Sequence, residues 1–412
     1  MQWLETHKNR MDSSLFQNLS DKFRRSQLDV PNTTQVLIKT KPGTNLRKIL
    51  DLCSLDSRNS EGHNAPLLNF LSAKLSFQTI QTLVTHPEIE KLYLDKEVHA
   101  FLDVASESVG GAYVRNTHGL SGNGVTIAVL DTGIHPHPDF TLPTSRIVDF
   151  VDYIQGKSSP YDDNGHGTHV TGCAAGNGFA SNGKYTGLAP NAQIIGIKVL
   201  DKNGNGYLSS VIAGINYCIE NKSRFNIRII NLSFGTDSVV PYIDDPLAQA
   251  AEQAVLAGII VLMAANNSGA TGTVNSPATH PKVISVGAVA DRKTMPISDG
   301  LIYIYTSNLE TMNGLMKPDV LLPGVYITGP LPPNSILSDQ LEPFVVNQHY
   351  ISLSGTSIAT GLCTGAVAII LEAYPSYSPS RIKDLMLQFR KEFTSEERYF
   401  QLPQLFQLIL KE

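Results

Sequence analysis

The sequence predicts a doubly wound α/β domain built on a mostly parallel sheet, preceded by a small α+β domain. Three observations predict it. From about residue 110, short β-branched runs recur without polar alternation: "GVTIAVLD", "AQIIGIKVL", "IRIINLSF", "GIIVLMAA" and "KVISVGAVA". Such runs suit strands buried on both faces of a parallel sheet. Helical segments fall between several of them, "HGTHVTGCAAG", "LSSVIAGINYCIEN" and "DPLAQAAEQAVLAG", giving the strand–helix alternation of βαβ units. Residues 34–103 keep a shorter β-α-β-α-β rhythm of their own.

Taken in order, residues 1–33 read as a polar, partly helical extension. Next come "TQVLIKTK" (strand), "LRKILDLC" (helix), "LLNFLSAKLS" (strand), "FQTIQTLVTHPEI" (helix) and "EKLYLDKEVHAFLD" (strand). "DVASESVGGAYV" reads as a linker, and residues 104–412 as the α/β domain. In open parallel sheets, sites lie beyond the carboxyl ends of the strands. The residues just after each apolar run are therefore the candidates.

Composition narrows the function classes. The chain has 412 residues, 42% hydrophobic and 17% charged, with net charge −5. It has no basic run, so no nucleic-acid partner is expected. No stretch approaches the ~20 apolar residues of a membrane span, and the N-terminus has no apolar signal core. As written, the chain is expected to be cytoplasmic. Cys53, Cys173, Cys218 and Cys363 are widely spaced without a CxxC pair. They read as reduced, buried thiols rather than a disulfide framework or zinc site.

Three polar stations stand at element ends. Asp131 closes "VTIAVLD", where a buried carboxylate must find donors. It could be a capping Asp. It could also be one half of an aspartic-protease pair, but the chain has no second Asp-Thr/Ser-Gly. His166 and His169 lie in "DDNGHGTHVTG". A metal site needs more ligands and usually a Glu between the histidines. Glycines flanking His166 suit a general base instead. Ser357 opens an apolar, small-residue helix in "LSGTSIATG", where helix N–H groups would stabilise negative charge. Taken alone, it could be an ordinary N-cap. Gly355 would allow close approach, with Ser354 and Thr356 structural. Together the order Asp131, His166, Ser357 is one of the chain orders of the Ser-His-Asp constellation.

At this point the sequence resembles the subtilisin-like serine proteases, through "VLDTGI", "NGHGTHVTG" and "SGTSIAT". The likeness is to the intracellular, long-propeptide members from bacilli. The resemblance implies a serine endopeptidase with Ser357 as nucleophile, His166 as base and Asp131 as its orienter. It implies an oxyanion role for Asn267 in "VLMAANNSG". Gly204-Asn205-Gly206 and Ser233-Phe234-Gly235 resemble the edges that bind an extended polypeptide substrate, though ordinary turn chemistry also explains such glycines. Residues 34–103 look like the inhibitory propeptide of a zymogen, cut between about Val98 and Ser106.

The sequence also departs from the family. Asn266 stands where the family has Gly, in a position that, with Ala265, lines the specificity pocket. Asn tolerates positive φ better than most residues. Gly361 replaces the usual Pro, a "SFSSRGP" segment is missing, and the C-terminus lacks a Gly-rich close. These departures define an alternative: a pseudoprotease that keeps the fold as a binding or regulatory module. An esterase of another α/β class would show Gly-x-Ser-x-Gly and a different triad order. The chemistry requires no cofactor. Calcium is a family habit, and Asp139 in "HPHPDF" matches a ligand position of secreted members. "GNGFASNGKYTG" does not clearly supply further oxygens, so structural calcium is left unassigned.

Overall fold

The computed structural model describes residues 2–11, 13–24, 33–53, 64–65, 70–94, 109–235, 242–267, 274, 277–290, 309–310, 316–392 and 402–409. The chain divides into two compact units, Met1–His99 and Ala100–Glu412.

In the first unit, β1 (Thr34–Thr40), β2 (Asn64–Ala65), β3 (Phe70–Leu75) and β4 (Ile89–Leu94) form an antiparallel sheet in the order β2-β3-β1-β4. The helices are α1 (Gln2–Thr6), α2 (Ser13–Arg24), α3 (Leu46–Cys53) and α4 (Phe77–Thr85). Ser76 caps α4, its Oγ accepting from the Thr79 N–H at 3.2 Å. The helix stops at Thr85, ahead of His86-Pro87, because a residue before proline avoids the α region. The described part of the expected extension 1–33 is helical, as read, and packs on the sheet. Leu4, Met11, Leu15 and Leu19 are buried in one core with Val36, Ile38, Leu71 and Leu92. Met11 bridges to Leu92, and the Arg10 guanidinium donates to the carbonyls of His86 and Ile89. The polar composition of this segment hides an apolar stripe at helical spacing. The last expected strand is observed only as far as Leu94; its remainder, the linker to residue 108 and the expected cut lie outside the described residues.

In the second unit, β5 (Thr126–Asp131), β6 (Ile147–Asp152), β7 (Gln193–Lys198), β8 (Ile227–Leu232), β9 (Ile260–Ala264), β10 (Ile284–Val289) and β13 (Val320–Pro323) form one sheet. Its order is β13-β10-β9-β8-β5-β7-β6, and every pair is parallel. β6 was not read from the sequence because it is an edge strand: in "IVDFVD" only Phe150 and Asp152 are buried, and the run is not apolar throughout. From β5 the chain travels out to β6, returns to β7, and crosses to β8. This puts a topological switch between β5 and β8. Short strands β11 (Leu309–Glu310) and β12 (Met316–Lys317) pair with each other. β14 (Ile327–Pro330), β15 (Val345–Asn347) and β16 (Tyr350–Leu353) form a small antiparallel sheet.

The helices of this unit include α5 (Gly111–His118), α6 (His166–Ala175), α7 (Leu208–Glu220), α8 (Pro246–Leu256), α9 (Thr356–Ala373) and α10 (Pro379–Glu392), and all of these but α5 pack on strands of the large sheet. From Thr356 to Leu371 every residue of α9 is buried. Among the described residues it is the one helix long and apolar enough to cross a membrane, and 83% of its apolar window is buried inside the molecule. The four cysteines are buried and form no disulfide.

Candidate active site

Asp131 is the last residue of β5 and is fully buried. Its Oδ1 accepts from the Thr132 N–H at 2.7 Å and from His166 Nδ1 at 2.8 Å. Its Oδ2 has no hydrogen-bond partner among the described residues. The carboxylate thus turns to the imidazole, and its bond fixes the tautomer with Nδ1–H donating and the Nε2 lone pair available.

His166 opens α6 after Gly165, which adopts a left-handed φ of +112°. Gly167 lets α6 press against the end of β5: a Cβ there would lie 2.3 Å from the Gly133 carbonyl oxygen. The His166 side chain keeps 26% exposure, whereas Asp131 keeps none. Burial works against imidazolium, but the nearby carboxylates of Asp131 and Asp162 outweigh it and raise the His166 pKa above the ordinary value. One turn on, His169 has the opposite character. It is buried, its Nε2 lies 3.0 Å from the Ile327 carbonyl, and burial lowers its pKa to about 3. The sequence offered two histidines, and the structure makes one accessible and one a neutral core residue.

Ser357 is the second residue of α9, where helix N–H groups lack intrahelical acceptors. A Cβ on Gly355 would sit 3.2 Å from Ser357 Oγ and 3.4 Å from Asn267 Nδ2, so glycine permits both groups to crowd the same spot. Asn267 follows β9. Its Oδ1 accepts from the Thr356 N–H at 2.7 Å and the Thr356 hydroxyl at 3.0 Å. The amide oxygen is thereby turned to the helix, and the Nδ2 hydrogens are left for another acceptor. Asn266 has φ +93°, a backbone that glycine adopts freely and Asn tolerates. Its Oδ1 accepts the Asn267 N–H at 2.6 Å, and Ala265 is buried beside it.

The two candidate edges differ in depth. Ser233, just past β8, is buried, and its Oγ donates to Asn231 Oδ1 at 2.9 Å and to the Ser357 carbonyl at 3.1 Å. Phe234 is half-buried and Gly235 exposed, so the segment leaves the core at this point. Gly204, Asn205 and Gly206 are exposed in a turn held by Asp201, whose Oδ1 accepts the Asn203 and Asn205 N–H groups at 2.8 and 3.0 Å. The turn sits beside the His166 loop, because Asn164 Nδ2 donates to the Lys202 carbonyl at 2.9 Å.

Asp139 does not suit a cation. It is fully buried, and the Tyr350 hydroxyl lies 2.8 Å from both its oxygens. Oδ1 also accepts the Ala180 N–H at 2.9 Å. Its neighbours are hydrogen-bond donors, whereas calcium needs six to eight oxygens from acceptors. Among the described residues no group of three or more His, Cys, Asp or Glu could hold a metal.

Sequence reasoning passed over Asp162 and Asn231. Asp162 caps α6, and Asn231 Nδ2 reaches the Thr364 hydroxyl of α9 at 2.8 Å. The signals existed: an acid four residues before His166, and an amide inside an apolar strand.

The model of the Subtilase family matches residues 122–399. The chain belongs to the subtilase family. Serine protease AprX of Bacillus subtilis (strain 168) is 38% identical over 387 residues, covering 91% of this chain and 87% of that protein. Subtilisin DY of Bacillus licheniformis is 32% identical over 270 residues, covering 65% of this chain and 83% of that one. Among solved structures, a cold adapted subtilisin-like serine proteinase superposes with a TM-score of 0.52 at 26% identity, over 68% of this chain and 86% of the other. Sphericase gives the same TM-score and identity, over 68% and 88%. As a subtilase, the chain is a serine-type endopeptidase acting on polypeptides.

Proposed function

We propose that Ser357, His166 and Asp131 are the catalytic triad, with Asn267 as an oxyanion donor. The observation that carries this reading is the 2.8 Å Asp131–His166 bond together with the gathering of Ser357 Oγ and Asn267 Nδ2 around Gly355. In this reading Ser357 Oγ attacks the scissile carbonyl and its proton passes to His166 Nε2. The oxyanion takes hydrogen bonds from Asn267 Nδ2 and the Ser357 N–H. The C–N bond breaks as His166 returns the proton to the departing amine, and water then hydrolyses the acyl-enzyme by the same base. Asp131 holds the tautomer and balances the imidazolium. Gly204-Asn205-Gly206 and Ser233-Phe234-Gly235 hold the substrate backbone, and Ala265 and Asn266 bound the pocket for the side chain before the scissile bond.

Residues 34–103 act in this scheme as a propeptide released by a cut between about Val98 and Ser106. Four buried thiols without a disulfide suit a reducing, cytoplasmic setting. No cofactor enters the chemistry. The test treats wild type and Ser357→Ala with a fluorophosphonate probe and reads both chains by intact mass. Wild type alone is expected to label and to lose about 100 N-terminal residues, the length before the proposed cut. If limited trypsin treatment, which degrades an inhibitory first unit, still leaves wild type unlabelled, the chain is a pseudoprotease.

A further inference from the structure

We propose that Asp162 is a positioning residue for the proposed triad: its carboxylate locks His166 and Asp131 into one hydrogen-bonded ring. This rests on the triad reading above. Asp162 is buried, and its Oδ1 accepts from the Thr132 hydroxyl at 2.9 Å, the Asn164 N–H at 3.2 Å and the Gly165 N–H at 2.8 Å. Its Oδ2 accepts from the Thr168 N–H at 2.9 Å and the Thr168 hydroxyl at 2.7 Å. An ordinary cap stops at the helix. Asp245, for example, accepts among the described residues from the Leu247 and Ala248 N–H groups at the start of α8. Asp162 reaches past its helix to Thr132, the neighbour of Asp131. Thr132 Oγ1 in turn accepts the N–H of Gly167, the neighbour of His166, at 2.9 Å. The ring therefore fixes both members of the Asp131–His166 bond from outside it.

The same carboxylate adds charge. His166 faces Asp131 at the end of β5, Asp162 on its own loop, and the buried, neutral His169 one turn on. Lys198 is engaged by Asp163 Oδ1 at 2.8 Å and by the Thr132 and Leu200 carbonyls. His135, whose N–H donates to Thr168 Oγ1, also feels Asp162. Removing the Asp162 charge leaves the imidazolium with one carboxylate and burial against it.

The test uses the full chain with 13C-labelled histidine. In a Ser357→Ala background, His166 is titrated by NMR with and without Asp162→Asn, and assigned by His166→Gln. Asp162→Asn is expected to move the His166 midpoint to lower pH. In the active enzyme it is expected to move the acid limb of kcat/KM the same way, with kcat falling and KM little changed. Asp162→Glu, which keeps the charge on a longer arm, is expected to restore the midpoint more than the rate. If Asp162→Asn lowers only thermal stability, with midpoint and acid limb unmoved, Asp162 is an ordinary cap and the proposal fails. Should that variant not fold, Thr132→Val cuts the ring from its other side, and an unchanged kcat there overturns the proposal. Absence of hydrolysis in wild type would sink the triad reading alone, since the NMR midpoint is read without turnover.

Discussion

At the residue scale, the site is a set of side chains each given one orientation by its second contact. Asn267 illustrates this: Thr356 holds its oxygen, so its nitrogen faces outward. Asn267→Ala is expected to lower kcat by about 10²–10³ with KM little changed, measured on a peptide substrate. For His166 the sign of the pH dependence follows from its role. A base must be neutral, and nearby carboxylates hold its pKa above the usual imidazole value. The acid limb of kcat/KM is therefore expected above that value, and Asp131→Asn should shift it to lower pH while lowering the rate. The sequence pointed to His166 through its local motif and to Asn267 through the family resemblance of its segment. It could not tell that His169 is a core residue, because that depends on the carbonyl of Ile327, distant in the chain. Asn266 was legible as a positive-φ position from residue type, and its φ of +93° agrees.

At the element scale, the serine-bearing and histidine-bearing helices are joined by missing side chains. A Cβ on Gly361 of α9 would stand 2.7 Å from the Val170 carbonyl oxygen of α6, and one on Gly365 2.5 Å from that of Ala174. The sequence reading treated Gly361 as the loss of a stiffening proline. The structure gives it a packing reason, since glycines four apart let the two helix backbones approach. Gly361→Ala is expected to cost about 1–3 kcal/mol of stability by overpacking, measured by denaturant unfolding, and to lower kcat by separating the two helices. The small β14–β16 sheet contributes Tyr350 to Asp139. Tyr350→Phe is expected to cost about 1–3 kcal/mol by stripping a donor from a buried carboxylate. Adding a chelator is expected to leave the wild-type Tm in place. The Tyr350–Asp139 contact joins residues 211 apart in the chain, so no motif reading could supply it.

At the scale of the whole molecule, stability should respond to pH through a second buried cluster, formed by Lys317, Asp319 and Lys383. Lys317 Nζ meets Asp319 Oδ2 at 2.7 Å, and Lys383 Nζ meets the same oxygen at 3.1 Å. Burial depresses the Lys317 pKa to about 7, with Lys383 opposing and Asp319 supporting its charge. The unfolded chain binds that proton up to the ordinary lysine value of about 10.4, so between these limits it holds more protons than the fold. This contribution therefore raises stability as pH climbs from about 7 towards 10. Lys383→Met, which removes the like charge, is expected to flatten that rise in Tm. Fold class was legible because buried parallel strands are apolar throughout. The packing of the first 24 residues was not legible, because only four apolar positions in a polar segment carry it.

A final consequence follows from α9. The proposed nucleophile stands on a helix whose residues from Thr356 to Leu371 are all buried, in the middle of the unit's core. Such a helix opens only when the surrounding layers come apart, unlike a site mounted on surface loops. Amide protons of α9 beyond its first turn should therefore exchange only by global unfolding. On heating, hydrolytic activity and α9 amide protection should vanish together, so a simple rate assay would report the cooperative melting of the entire second unit.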